Sequence, residues 1–514
     1  MRQLPGCRIR CRPCSSAAAV LAVLALCGGC GSIEQWVHNG FKVGPNFHEP
    51  PAPVAADWID AADTHVNRTS TDGGTWWSVF MDPDLCLLVD TAYRQNLNLQ
   101  TAATRVLEAQ GQRNIAIGNL FPQTQNAIGD YLHAQISKNL AVFGSPIAAL
   151  PTNIDVWVTG FNASWELDFW GRLRRTIESS NAELAASIES YHDALVTLVG
   201  DVATDYVQLR TYQARLDYAR RNVEIQQGTL RIAQARLKAG KATALDVKQA
   251  RSSLEQTEAS IPPLLLGLRQ TNNRLCVLLG KPPHDLVAEL HEGPIPKAPP
   301  AVAVGVPAAL LHRRPDVRKA LRDAAAQSAQ IGVAQADFLP RIGVTGFIGY
   351  TAADIRRLFA EDSYTGLILP NFQWKILNYG RIVNNVHTQE ARLDERVSQY
   401  QQAVLKAGQE VEDGLAGFLQ YQQQARHLEI SVAEATDAME LVQAQYEQGL
   451  VDFNRVFTTQ AQLVSLQDQL AAARGNIALS LIAVYRALGG GWETLAHGPA
   501  LQMCVQTANE PRTQ

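Results

Sequence analysis

The chain has 514 residues, 46% hydrophobic and 18% charged, which is too apolar for disorder and enough for a large core. A formal charge of −4 makes it a poor polyanion binder, so nucleic acid is set aside as a partner. Aromatic residues are only 7%, and the wealth of Ala, Leu and Gln favours helices.

The first residues read as an address. Arg2, Arg8, Arg10 and Arg12 form a positive stretch, and Ser15 to Leu26 is an apolar run of signal-peptide length, too short to span a bilayer. The run ends Leu26-Cys27-Gly28-Gly29-Cys30, which resembles a bacterial lipobox in which Cys30 becomes the acylated N-terminus. Residues 1–29 are thus a lipoprotein signal peptide and residues 30–75 an acylated tether; ordinary cleavage and an uncleaved anchor are the alternatives. Cys7, Cys11, Cys14 and Cys27 leave with the leader, and Cys86, Cys276 and Cys504 give no disulfide framework.

Pro45, Pro50, Pro51 and Pro53 stiffen the tether. A helix is expected over Asp84–Gly118, started by Asp82-Pro83-Asp84 and stopped by Phe121-Pro122. Two alternating segments follow, Gln123–Leu132 and Val156–Leu167, each about the length a tilted strand needs to cross a bilayer. The proline-free run from Arg172 to Ala239 predicts a helix of about 100 Å. Gly240 reverses the chain, and a helix returns over Thr243–Leu279, which Pro262-Pro263 should kink or break. Residues 281–315 are Pro-dense and read as a surface linker, not a helix. The plan then repeats: a helix over Asp316–Asp337, strands over Arg341–Tyr350 and Thr365–Trp374, a long helix over Arg381–Gln448, and a return over Phe453–Leu488. The tail, residues 490–514, shows no pattern.

Two stretches, residues 76–280 and 316–489, are one plan written twice, 209 residues apart: Gly171 falls on Gly380, Tyr212 on Tyr421, Gly240 on Gly449 and Gly280 on Gly489. Each long helix carries a seven-residue apolar seam. In the second copy it runs unbroken from Leu393, Val397 and Tyr400 to Met439, Val442 and Tyr446. In the first, from Leu184 to Leu237, only Asp205 and Gln226 interrupt it. A strict heptad signals coiled-coil packing. The expected fold class is therefore mainly α with membrane β, internally duplicated. Four strands per chain cannot close a barrel, and lipid does not tolerate an open sheet edge, so the chain must oligomerise.

Val43-Gly44-Pro45-Asn46-Phe47, the run from Ala163 to Arg172, the segment Arg313-Arg314-Pro315-Asp316-Val317-Arg318, and Pro370, Trp374 and Gly380 resemble motifs of TolC-like outer-membrane factors. The match is to the OprM/NodT-type lipoprotein branch that serves RND tripartite pumps, and it covers nearly the whole mature chain. The resemblance implies a homotrimer in which a twelve-stranded outer-membrane β-barrel continues into a periplasmic twelve-helix coiled-coil α-barrel. It implies a passive exit duct for small molecules, without cofactor, whose partners are a periplasmic membrane-fusion adaptor, an inner-membrane RND-type pump and outer-membrane lipid.

It also places adaptor contact at the two helix tips, around Arg236, Leu237, Gly240, Thr243 and Asp246 in one and Tyr446, Gly449, Asp452 and Val456 in the other. The structural readings are that Gly240 and Gly449 take left-handed turns and that Asp246 and Asp452 cap helices. Related proteins commonly narrow the mouth with an acidic residue where this chain has Thr458, or at the position of Arg455. A periplasmic constriction is accordingly expected from Asp452, Arg455 and Thr458, with Asp452 and Arg455 paired between neighbouring tips.

Glu166 and Asp168 on one strand face would suit a hydrolase, but beside a membrane junction a polar interfacial role is expected instead. The histidines show no metal-ligand spacing and no glycine-rich nucleotide loop is present, so the chain is read as no enzyme and without metal. The alternatives are a type I protein-secretion duct and, from another class, a coiled-coil lipoprotein scaffold without a channel.

Overall fold

The computed structural model describes residues 33–68, 73–135, 141–142, 145–146, 153–291 and 293–495. The expected signal peptide, Cys30, Cys504 and most of the tail lie outside the described residues. The helices are α1 (Pro83–Gln95), α2 (Leu97–Gly118), α3 (Arg172–Lys238), α4 (Ala244–Leu278), α5 (Pro315–Ala336), α6 (Arg381–Gln448) and α7 (Phe453–Ala487). The strands are β1 (Thr124–Gln135), β2 (Asn153–Leu167), β3 (Arg341–Ala352) and β4 (Tyr364–Gln373). The chain divides into two compact units, each drawing on both sequence repeats.

The first unit comprises residues 1–48, 111–182 and 324–395. Its centre is an antiparallel sheet in the order β1-β2-β3-β4. The register puts Phe161 opposite Ile348, Leu167 opposite Ile342, and Ile342 opposite Phe372, so these apolar side chains share one face. Phe161, Ile348, Ile368 and Phe372 on that face are all more than half exposed. A sheet that turns bulky apolar groups outward calls for an apolar surrounding. Among the described residues no helix is long and apolar enough to cross a membrane.

The same unit explains two of the sequence motifs. Arg175, 3% exposed, binds the carbonyls of Val43 and Gly44 through Nε and Nη2 (3.0 and 2.8 Å) and Asn46 Oδ1 (3.0 Å). A Cβ on Gly44 would lie 2.4 Å from the Gly332 Cα, so the N-terminal segment seats on α5 only because both positions are glycine. Asp168 lies beyond the end of β2, not on a strand face with Glu166. Its carboxylate accepts from the Leu173 and Arg174 amides (2.8 and 3.0 Å) and so caps α3. Glu166 instead pairs with Arg172 at 2.8 Å.

The second unit comprises residues 49–110, 183–323 and 396–514. Its core gathers Trp77, Leu85, Tyr206, Leu209, Leu275 and Phe418, all fully buried. Every seam position of α6 named above is buried or half-buried. In α3 the two polar interruptions are buried as well, and each finds a partner. Asp205 accepts from Arg274 Nε and Nη2 (3.0 and 2.8 Å), and Gln226 Nε2 donates to Ser253 Oγ (3.2 Å). Burial still pushes the Asp205 carboxyl above its ordinary range.

Four expectations are corrected. The helix expected over 84–118 is two helices, because Asn96 takes an extended conformation between them. Its Oδ1 accepts from Leu99 N (2.8 Å), starting α2, while its Nδ2 donates to the Leu278 carbonyl (2.9 Å) at the end of α4. Conversely, α4 is not broken at Pro262-Pro263. The two missing donors leave the Glu258 and Ala259 carbonyls without helical partners, and both residues are exposed, so solvent can serve them. The linker holds structure: Val302–Ala303 pairs in parallel with Val66–Asn67, and Leu310–Arg313 is a short helix. The tail begins with a helix, Trp492–Leu495, whose Trp492 ring stacks on His192 at 4.3 Å with Arg318 over it at 5.1 Å.

Asp193 on α3 supplies a pH prediction. Burial, with Asp316 nearby, raises its carboxyl above the ordinary value against the opposing Arg314, Arg486 and Lys319. A raised acid favours the neutral native form, so its ionisation penalises folding above the native pKa and costs nothing below the unfolded one. Asp193→Asn is expected to raise the thermal transition at pH 7 to 8, with the gain vanishing below about pH 4. A gain independent of pH would contradict this.

Candidate functional site at the helix tips

Both tips lie within the second unit, and the helices that enter them end alike. In the α3–α4 turn, Gly240 (φ +68°) donates to the Leu237 carbonyl (3.0 Å) and Lys241 N to that of Arg236 (2.8 Å). In the α6–α7 turn, Gly449 (φ +80°) donates to the Tyr446 carbonyl and Leu450 N to that of Gln445, both at 2.9 Å. This pair of bonds closes a helix with a left-handed residue, which only glycine adopts without strain.

The helix starts diverge. Thr243 caps α4 in a reciprocal box: its hydroxyl accepts from Asp246 N (3.3 Å), and Asp246 Oδ2 accepts from Thr243 N (3.2 Å). At the equivalent places in the second copy stand Asp452 and Arg455. Asp452 Oδ1 caps α7 by accepting from Arg455 N (3.2 Å). The Asp452 carboxylate therefore engages the backbone of Arg455 within one chain. Thr458 Oγ1 donates to the Asn454 carbonyl (3.0 Å), and all three constriction candidates, Asp452, Arg455 and Thr458, are exposed.

The two tips touch, and one side chain joins them. Arg236 Nη1 donates to the Tyr446 carbonyl, and its guanidinium lies over the Tyr446 ring at 4.5 Å. Tyr446 meets Phe453 edge-on at 5.4 Å, and with Ala233, Ala250, Met439, Val456 and Leu463 they form a small core. Burial raises the Tyr446 phenol above its ordinary value, with Asp246 adding to the shift and Arg236 opposing it.

Tyr446 and Val456 are 3% and 0% exposed, so as contact residues they are corrected: their side chains hold the tip together and are not on its surface. Leu237, Gly240, Thr243, Gly449 and Asp452 are exposed, and Arg236 and Asp246 half-buried. Two further apolar groups of the tips, Leu245 and Leu450, are 64% and 70% exposed beside them. Leu245 stands in the first turn of α4 and Leu450 in the α6–α7 turn. Among the described residues no group of side chains is arranged to hold a metal. The tip thus presents exposed apolar and hydrogen-bonding groups over a small buried core.

A family profile described as "Outer membrane efflux protein" matches residues 88–281 and 306–490. The probable efflux pump outer membrane protein SepC of Pseudomonas putida is 30% identical over 471 residues, covering 90% of this chain and 96% of that protein. Outer membrane protein OprJ of Pseudomonas aeruginosa is 29% identical over 491 residues, covering 94% and 97%. The solved structure of the outer-membrane channel OprN superposes with a TM-score of 0.82 at 29% identity, covering 88% of this chain and 99% of that one.

Proposed function

We propose how this chain works from the premise that it belongs to the outer membrane efflux protein family. It is an efflux protein of the outer membrane that extends into the periplasm, with a mostly helical, TolC-like channel fold, and its function is transport. In the arrangement proposed, three copies close twelve strands into one barrel and align their helices into a twelve-helix periplasmic cylinder. Residues 30–75, acylated at Cys30, tether each copy to the membrane, and the duplicated segments 76–280 and 316–489 supply the wall on either side of the 281–315 linker. A periplasmic adaptor docks on the helix tips through Leu237, Thr243, Leu245 and Leu450, and an RND-type pump of the inner membrane supplies substrate and energy.

The observation that carries this reading is the four-stranded sheet, whose edges β1 and β4 pair with no other strand among the described residues and whose apolar face is exposed. Joining β4 of one copy to β1 of the next removes every edge, the only stable condition for strands in lipid. The purified mature protein is expected to run as a heat-modifiable trimer and to conduct ions in planar bilayers. A protein that stays monomeric and soluble without detergent would overturn the proposal.

At the mouth, Asp452 of one tip pairs with Arg455 of a neighbouring copy and holds the duct narrow, beside Thr458. Asp452→Ser keeps a capping oxygen but removes the charge, so it is expected to raise conductance without loss of stability. Asp452→Ala should raise conductance equally and cost in addition about 0.5–2 kcal/mol of helix stability. Unchanged conductance in Asp452→Ser and Arg455→Ala would refute the pairing.

A further inference from the structure

The duplication carries a template for the contact between copies. Shifted by 209 residues, α3 falls on α6 and α4 on α7. Within one chain α3 packs antiparallel against α7. Arg486 Nη1 donates to Asp201 Oδ1 (2.9 Å), Arg215 Nε and Nη2 reach the two Asp468 oxygens (2.7 and 3.0 Å), and Asn222 Nδ2 donates to Gln467 Oε1 (2.8 Å). A Cβ on Gly475 would lie 2.3 Å from the Thr211 hydroxyl, so the two helices are in close contact.

The same shift leads from this junction to two uncovered faces. It carries Arg215 to Gln424 and Asn222 to Ser431 on α6; run backwards, it carries Asp468 to Ala259 and Gln467 to Glu258 on α4. The four residues of the junction are buried or half-buried. Of their counterparts, Gln424, Ala259 and Glu258 are exposed and Ser431 half-buried. Leu266, which stands where α7 has Gly475, is 58% exposed. Each chain thus makes the junction once and leaves both halves of a second one open. A cyclic assembly must satisfy every such half with the next copy.

The charges of the open faces are complementary. In the register of the junction, Glu434 and Asp437 on α6 come opposite Arg251 and Lys248 on α4, and all four are exposed. Arg251 lies 3.7 Å from Glu255 on its own helix and would stand between two carboxylates. Glu258 comes opposite His427 and Ser431. The equivalent positions inside the chain, Ile225 and Gly228 on α3 and Gln460 and Phe457 on α7, carry no charge. Opposite charges facing each other fix a register and reject others.

We propose that α6 of one copy packs antiparallel on α4 of the next, with Ser431 opposite Glu258, Gln424 opposite Ala259, and Asp437 and Glu434 against Lys248 and Arg251. The partner is a second copy of this chain. The packing presupposes the closed trimer, and the experiment separates the two.

Ser431→Cys with Glu258→Cys in the full-length protein, carrying Cys504→Ser, provides the test; Cys86 and Cys276 are buried. A short bismaleimide is expected to link neighbouring copies into a covalent trimer that survives heating. Ser431→Cys with Leu265→Cys, displaced by about 10 Å along α4, should link several-fold more slowly. A trimer that forms yet does not link at Ser431 and Glu258, or links as fast at Leu265, would overturn the register and leave the trimer standing. Absence of any trimer would overturn both. Asp437→Lys should lower the temperature at which the trimer dissociates, and adding Lys248→Asp should restore it. A double variant no more stable than Asp437→Lys would overturn the ionic pairing.

Discussion

Replacing Arg210 by Met is expected to lower the stability of the helical unit by about 3–5 kcal/mol, the cost of stranding a buried carboxylate. Arg210 and Asp84 are 3% and 5% exposed and bond at 3.0 Å through Nη2 and Oδ2. Three distant segments meet at this pair. Asp84 begins α1 and also accepts from His291 N in the linker (3.0 Å), while Arg210 Nη2 donates to the His291 carbonyl (2.6 Å). Arg210 Nε further donates to the Tyr206 hydroxyl (3.1 Å), which donates in turn to Asp82 Oδ2 (2.8 Å). Removing the guanidinium leaves the buried Asp84 carboxylate with only the amide and imidazole of His291 as partners (3.0 and 2.7 Å), and frees the linker from α3. The double variant Asp84→Leu, Arg210→Met removes both charges and should recover much of the loss, because a buried pair is worth less than the penalty of breaking it. Thermal transitions followed by circular dichroism would check the cycle. Equal losses in the single and double variants would show that the pair acts through packing alone.

What the sequence could disclose was whatever depends on neighbours along the chain or on the duplication. The α6 seam was readable because a heptad repeat is a property of one helix, and the turn glycines 240 and 449 because each copy vouches for the other. The break at Asn96 was not readable, since its reason is a carbonyl on Leu278, brought alongside only by folding. Pro262-Pro263 misled in the opposite sense: the local rule for proline is sound, but neighbouring packing and exposed carbonyls let α4 continue. At the tips, the capping roles of Asp246 and Asp452 followed from residue type and spacing, while the Thr243 hydroxyl cap emerged only with the structure. The Arg236 contact with Tyr446 joins positions on different hairpins, and no periodicity announces it. Spacing alone therefore places both residues at the surface, whereas Tyr446 is interior. The motif around Arg314 was recognised without its reason. Its guanidinium, 8% exposed, bonds the Ala487 carbonyl at the end of α7 (2.9 Å) and pairs with Asp316 and Glu410 (both 2.7 Å).

Substituting Gly160 or Gly349 by leucine is expected to abolish the heat-stable trimer while leaving the helices folded. The two glycines face each other across β2 and β3. A Cβ on Gly160 would lie 2.4 Å from the Ile348 carbonyl oxygen and 2.6 Å from the Gly349 Cα; one on Gly349 would lie 2.2 Å from the Thr159 carbonyl oxygen and 2.7 Å from the Gly160 Cα. These are backbone atoms held by the ladder, so no side chain can turn aside to make room, and the strands themselves must separate. This pair sits at the junction of the two repeats, because β2 belongs to the first and β3 to the second. Prising it open would split the sheet into two hairpins, and an isolated two-stranded hairpin is marginal at best. Each hairpin would then gain an unpaired edge, β2 in one and β3 in the other, where lipid tolerates none. Far-ultraviolet circular dichroism should retain the helical signal, while gel mobility without heating should show monomer and planar bilayers no conductance. The paired glycines make one further demand: Gly160→Ala and Gly349→Ala must also weaken the trimer, since even one methyl meets backbone. An alanine variant with full heat stability would mean that strands β2 and β3 are not held at this spacing in the assembled protein.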